Sequence, residues 1–242
     1  MSQPPDDDHT SLSRRSLFKT LGLLPVAAVL PACAPDATQK DTGTGTTSTT
    51  YAPTFFSAAQ YACLVAACDR LIPQDEVGPG AVELEVPQFI DKHMATPYAN
   101  GAIWYMQGPF LEAPAEYFGY QGKLPLKDIL RVGLDALDAH ARSTAGDKLF
   151  ADLSHGQQEA LLKEVQGGKV EFDSIDAKTF FGYLLGEVRN GYFADPAHGG
   201  NKGMGSWKMI GYPGMRADYL DWVEVRDKPY PLGPVDLAGR RG

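Results

Sequence analysis

Apolar residues recur at helical spacing behind capping signals, and this pattern leaves little room for anything but helices. Ser57 and Gln60 form an S-x-x-Q capping box, and Tyr61 is followed at offsets of 3, 4, 7, 10 and 11 by Leu64, Val65, Cys68, Leu71 and Ile72. Residues so spaced share one face of an α-helix, and Pro73, which lacks a backbone N–H, ends it. The pattern predicts a second helix over residues 86–94, with Pro87 at the tolerated first turn and Pro97 beyond it. A third runs over residues 127–141, with Ile129, Leu130, Leu134 and Leu137 on one side. Ser154 and Gln157 make another capping box ahead of Leu161, Leu162 and Val165, and Gly167-Gly168 closes that helix. Asp173 or Ser174 is expected to cap a long helix over residues 176–192, whose apolar face is Phe180, Phe181, Leu184, Leu185 and Val188.

Between these stripes the texture is irregular. The chain has 26 glycines and 18 prolines among 242 residues, well above the usual combined share of about 12%. Residues 74–81 read as a tight acidic loop. Residues 98–125 carry Tyr98, Trp104, Tyr105, Phe110, Tyr117, Phe118 and Tyr120 among glycines and prolines, which predicts short helices and irregular backbone. Residues 194–215 hold Gly199, Gly200, Gly203, Gly205, Gly211 and Gly214, with Asp195, His198, Asn201, Trp207 and Tyr212 interleaved. A loop of that length without elements of its own is usually functional or disordered, and the aromatics favour order. No strand-rich stretch, internal repeat or second core is visible. The expected fold is mainly α: a single helical domain over residues 54–242 with long, ordered Gly/Pro-rich loops.

The first 53 residues read differently. Ser13-Arg14-Arg15-Ser16-Leu17-Phe18-Lys19 precedes an apolar run over residues 21–30 that is too short, and too broken by Gly22 and Pro25, to span a membrane. It reads as the apolar region of a signal peptide, and the paired arginines resemble a bacterial twin-arginine (Tat) signal. Residues 1–33 are thus an expected export signal with Arg14 and Arg15 as its recognition pair. Tat export moves folded proteins, so a chain with this signal and no cofactor motif is expected to tow a partner into the periplasm. Leu30-Pro31-Ala32-Cys33 resembles a lipobox, which makes Cys33 a lipidation candidate and a membrane anchor; cleavage after Ala32-Cys33-Ala34 is the rival. Residues 34–53, rich in Thr, Gly and Ser, bury little apolar surface and read as a flexible linker.

Most familiar chemistry is missing. There is no C-x-x-C-H for a c-type haem, no G-x-G-x-x-G after a strand and no P-loop, H-E-x-x-H or G-x-S-x-G. The net charge of −8 lacks the basic footprint of a nucleic-acid binder. Cys63 and Cys68, five apart on the first helix, are poorly placed for a mutual disulfide. Cys68 at least reads as a buried small hydrophobe, with a bond from either thiol to a partner chain as the alternative. Asp75, Glu76 and Asp91 are a weak candidate cation site. His198, beside Asp195 in the glycine-rich stretch, could serve a free-standing secreted enzyme as a His–Asp pair; the competing role is loop ordering or an interface.

The residues together carry a pattern. Leu71-Ile72-Pro73-Gln74-Asp75-Glu76, Gly78-Pro79-Gly80-Ala81 and Phe89-Ile90-Asp91 are one part. The most specific part runs from Gly191-Tyr192-Phe193-Ala194-Asp195-Pro196 through Gly199-Gly200-Asn201 to Trp207-Lys208-Met209-Ile210-Gly211-Tyr212-Pro213-Gly214. Over roughly residues 54–225 the chain resembles the gluconate 2-dehydrogenase subunit 3 family, the small subunit of membrane-bound flavin sugar and sugar-acid dehydrogenases. The resemblance implies a non-catalytic subunit that binds no cofactor itself. FAD would sit in a large glucose-methanol-choline-type subunit and c-type haem in a multihaem cytochrome subunit. The small subunit would carry the export signal to the Tat translocase and stabilise the large one. Phe193, Asp195, His198, Asn201, Trp207 and Tyr212 are the candidate partner-binding residues: glycines allow close backbone approach, and Trp and Tyr dominate interface energetics.

Overall fold

A computed structural model describes residues 51–111 and 116–242. The signal with Arg14 and Arg15, the lipidation candidate Cys33 and residues 34–50 of the linker lie outside the described residues. Among the described residues there are six α-helices and no strand: α1 (Ala58–Leu71), α2 (Val86–Met94), α3 (Leu126–Thr144), α4 (His155–Gln166), α5 (Ala177–Phe193) and α6 (Gly205–Ile210). Extended pairing is limited to isolated bridges from Val235 to Gly214 and to Arg241. The mainly helical expectation holds.

Local chemistry sets the helix ends. The Ser57 Oγ accepts from the Gln60 N–H at 3.2 Å, and the Gln60 Oε1 accepts from the Ser57 N–H at 3.0 Å. The Gln60 amide also donates to Asp135 Oδ1 on α3 at 2.8 Å, so one cap residue ties two helices. At α4 the Ser154 N–H donates to Gln157 Oε1 at 3.1 Å. For α5 the expected cap is corrected. Asp176, rather than Asp173 or Ser174, accepts from the Thr179 N–H at 2.8 Å. Ile175 just before it and Phe180 in the first turns both enter the core, the arrangement of a hydrophobic staple. That staple fixes the helix start later than the cap chemistry of Asp173 and Ser174 suggests.

The long helix α5 packs against α1, α2, α3, α4 and α6, and the core gathers around it. Leu64, Ile90, Ile129, Leu130, Leu134, Leu137, Phe150, Phe180 and Leu184 are fully buried there. Each such side chain contributes about 1.5–3 kcal/mol relative to exposure. Gly133 lets α3 and α5 touch, since a Cβ at that position would stand 2.0 Å from the Phe180 ring. On α1 the buried face is centred on Cys63, Leu64, Ala67 and Cys68. Both thiols are free and fully buried; burial pushes each well above the ordinary thiol pKa. The alternative of a bond from Cys63 or Cys68 to a partner chain is therefore corrected, because neither sulfur reaches the surface.

The domain begins earlier than residue 54. Tyr51 donates to Asp91 Oδ2 at 2.8 Å, so the end of the expected linker is already attached to α2.

Candidate functional site

The glycine-rich segment after α5 is folded back onto the helix it leaves. A helix leaves its last carbonyls without intrahelical partners. Here the segment's own side chains supply two of them. Trp207 Nε1–H donates to the Phe193 carbonyl at 3.0 Å, and Asn201 Nδ2–H donates to the Ala194 carbonyl at 2.9 Å. Asn201 sits in the left-handed region with φ 39°, and its Oδ1 accepts from both the N–H and the hydroxyl of Ser206, at 3.0 and 2.8 Å. That pins the start of α6. Gly200 has φ 69°, and a Cβ there would stand 2.3 Å from the Gly191 carbonyl oxygen. The glycine is thus required by its conformation and by the close approach to α5.

The rest of the segment is tied in the same way. Asp195 accepts from the Ala197 N–H and, with its other oxygen, from the Leu237 N–H, both at 2.8 Å. Tyr192 OH donates to the Pro79 carbonyl at 2.7 Å. The Trp207 indole is 5% exposed and meets Tyr212 edge-on at 5.1 Å between ring centres. The Val235 N–H donates to the Pro213 carbonyl at 3.2 Å, and the Met215 N–H to the Val235 carbonyl at 2.7 Å.

These contacts sort the sequence-derived candidates. Phe193 and Tyr212 are exposed at 44% and 42%, and Met209 and Ile210 on α6 are exposed beside them in the chain. His198 is exposed. Asn201 and Trp207 are buried, so their side chains hold the segment and do not face outward. Asp195 is half-buried with both oxygens occupied by backbone N–H groups. The segment is also not the uninterrupted loop the glycines suggest. It contains one-turn helices at Pro196–His198 and Lys202–Met204, and then α6.

Two chemical readings are corrected by the same geometry. The carboxylate of Asp195 is engaged by Ala197 and Leu237, and among the described residues no hydrogen bond joins it to the His198 ring. The His–Asp pair needed for a free-standing enzyme does not form. Asp75, Glu76 and Asp91 do not assemble a cation site either: among the described residues no group of three or more His, Cys, Asp or Glu side chains converges as metal ligands would. Asp75 accepts from the Val77 and Gly78 N–H groups of its own loop at 2.8 and 3.1 Å.

Asp91 does something the sequence did not reveal. It is fully buried and accepts five hydrogen bonds, from Tyr51 OH, Thr54 N–H, Thr54 Oγ1–H, Phe55 N–H and Phe56 N–H, at 2.7–3.0 Å. It fastens the chain ahead of α1 onto α2. The buried Glu187 on α5 similarly meets His93 Nδ1 on α2 at 2.7 Å. Neither pairing has a local sequence signal, because the partners lie far apart in the chain.

The family model for gluconate 2-dehydrogenase subunit 3 matches residues 58–214. The matched span opens at the first residue of α1, includes all six helices and closes at Gly214, where the chain bridges to Val235. No curated protein and no solved structure matches the chain.

Proposed function

The chain belongs to the gluconate 2-dehydrogenase subunit 3 family, and from that premise we propose that it is the non-catalytic small subunit of an exported, FAD-dependent sugar or sugar-acid dehydrogenase. It binds the large glucose-methanol-choline-type subunit, which carries the flavin, stabilises it and escorts it through the Tat translocase to the periplasm. A multihaem cytochrome c subunit takes the electrons. Cys33, when lipidated, ties the assembly to a membrane. The observation that carries this reading is the family match across all six α-helices of the described residues.

The use of the polar side chains in the glycine-rich segment agrees with it. Asn201, Trp207 and Asp195 spend their polar atoms on the fold of this chain and do not converge on a reacting centre. Phe193, His198 and Tyr212 remain as surface contacts for the partner, with Tyr212 packed against Trp207. No helix among the described residues is long and apolar enough to cross a membrane.

Replacing Arg14 and Arg15 together by Lys tests the export step. Both this chain and the flavoprotein subunit are expected to accumulate in the cytoplasm, read by fractionation and immunoblot. Normal periplasmic amounts of both proteins in the double variant would refute Tat escort.

A further inference from the structure

We propose that the large flavoprotein subunit docks on the face formed by the loop over residues 74–80 and by α6, through an apolar centre rimmed with carboxylates; this rests on the escort reading above. The two stretches that carry the family pattern, residues 71–81 and 191–214, lie far apart in the chain, and the fold brings them together. Tyr192 OH donates to the Pro79 carbonyl, 113 residues earlier, at 2.7 Å. Gly78 lies directly against the Met209 thioether, with no room for a Cβ. Gly205, at the start of α6, lies as closely against Leu84 and Pro79. The Lys202 N–H donates to the Leu84 carbonyl at 3.3 Å.

Direct contacts join the apolar side chains that this junction leaves outward. The loop is pinned from within: Asp75 Oδ1 accepts from the Val77 and Gly78 N–H groups, and the Asp75 N–H donates to the Gly78 carbonyl at 3.2 Å. The Ala81 N–H closes the loop onto the Ile72 carbonyl at 2.9 Å. At its tip Val77 is 73% exposed, although none of these hydrogen bonds calls for an apolar side chain there. Gly78, the next residue, touches Met209, whose sulfur lies 3.6 Å from Tyr192 OH. Tyr192 in turn meets the Phe193 ring edge-on at 5.0 Å. Met209, Ile210 beside it on α6, and Phe193 are all exposed. Val77, Met209, Ile210 and Phe193 thus belong to one apolar surface on backbone that is already fixed, which lowers the ordering cost of binding.

Charge selects the occupant. Residues 71–85 and 191–214 contain Asp75, Glu76, Glu83, Glu85 and Asp195 against Lys202 and Lys208. Lys202 is committed to Glu85, and Asp195 to the N–H groups of Ala197 and Leu237. Lys208 is then left with three exposed carboxylates, Asp75, Glu76 and Glu83, none of which forms an ion pair among the described residues. Two of them border the apolar centre: after burial, the charges of Asp75 and Glu83 push the Tyr192 phenol above its ordinary pKa. A surface that answers this arrangement has an apolar centre with Arg or Lys around it. Anionic lipid would bring like charge to the rim, and a second copy related by two-fold symmetry would set the same carboxylates against themselves. A protein with a basic rim fits, and in the escort reading that protein is the flavoprotein subunit.

The test uses the full chain and its co-produced flavoprotein subunit. Val77→Ser with Ile210→Ser removes the apolar centre, and Glu76→Lys with Glu83→Lys reverses the rim. Leu220→Ser with Val223→Ser, at exposed positions beyond the family-matched span, is the control. Affinity and association rate with the purified flavoprotein are measured alongside the thermal midpoint of each isolated chain. The apolar pair should weaken binding at least ~30-fold. The rim reversal should slow association about tenfold at low salt, with a smaller deficit at high salt. The control pair should bind within about threefold of the parent, and all midpoints should stay within about 2 °C of it. Should the apolar pair lose stability, the rim reversal, at two exposed carboxylates without ion pairs, decides alone. Parent-like affinity in the apolar pair, parent-like association after rim reversal, or an equal loss in the control pair overturns the docking face; the escort reading stands as long as the parent chain binds. No binding by the parent chain overturns the escort reading itself. A homodimer, or binding to phosphatidylglycerol vesicles, that the apolar pair abolishes would also overturn the proposal.

Discussion

Trp207→Ala is expected to destabilise the isolated chain by about 3–5 kcal/mol, the range for truncating a buried Trp or Phe. For a domain of this size that is a drop on the order of 10 °C in thermal midpoint. Three losses combine. The indole is 5% exposed, so its removal opens a cavity. The Phe193 carbonyl loses the Nε1–H donor at the end of α5. Tyr212 loses the ring it packs against. Trp207→Phe keeps most of the volume and forfeits mainly the hydrogen bond, so it should cost about 1–2 kcal/mol. An unchanged midpoint in Trp207→Ala would mean that the indole is not part of this chain's core.

Asp91→Ala is expected to cost a similar 3–5 kcal/mol, because it strands several buried donors that now share one carboxylate. The same site gives a pH dependence with a definite sign. Burial alone would push the carboxyl up, but the N–H groups of Phe56 and Thr54 and the hydroxyls of Tyr51 and Thr54 outweigh it and hold the pKa below the usual carboxylate value. Tyr51, first through burial and then through its bond to Asp91, is pushed up to about 12 and stays a donor. A carboxyl with a depressed folded pKa contributes stability that is complete above its unfolded value of 3.8 and is lost as pH falls through the folded value. Acid unfolding of the parent should therefore steepen below about pH 4, and Asp91→Asn should remove that part of the slope. An Asp91→Asn protein as stable as the parent at pH 7, with the same acid limb, would contradict the role given to this carboxylate.

Local chemistry was the legible part. The capping pairs Ser57–Gln60 and Ser154–Gln157 are four-residue signals, and Pro87 marks α2 by a rule that needs no tertiary context. What stayed hidden depends on distant partners. Trp207 and Tyr212 have the composition of an interface, but the direction of the indole is set by a carbonyl 14 residues earlier. Asp91 looked like one of three loose carboxylates because its donors lie 35–40 residues upstream. Trp104 and Tyr120 cannot be told from Tyr105, Tyr117 and Phe118 by residue type. Tyr183, on a helix much later in the chain, packs against those two. The family pattern was visible because its residues do local structural work: Gly200, Asn201 and Asp195 each solve a backbone problem at the end of α5.

Co-export is the central claim, and exchanging the export route tests it most directly. Residues 1–33 would be replaced by a signal for the general secretory route, which threads chains unfolded, and the flavoprotein subunit would be co-produced unaltered. The flavin-containing subunit is then counted in the periplasm by cofactor absorbance and immunoblot. The account predicts that this chain arrives alone and that the flavoprotein stays in the cytoplasm, whereas the unaltered chain brings both across. Periplasmic flavoprotein in equal amounts under the two signals would contradict escort by this subunit.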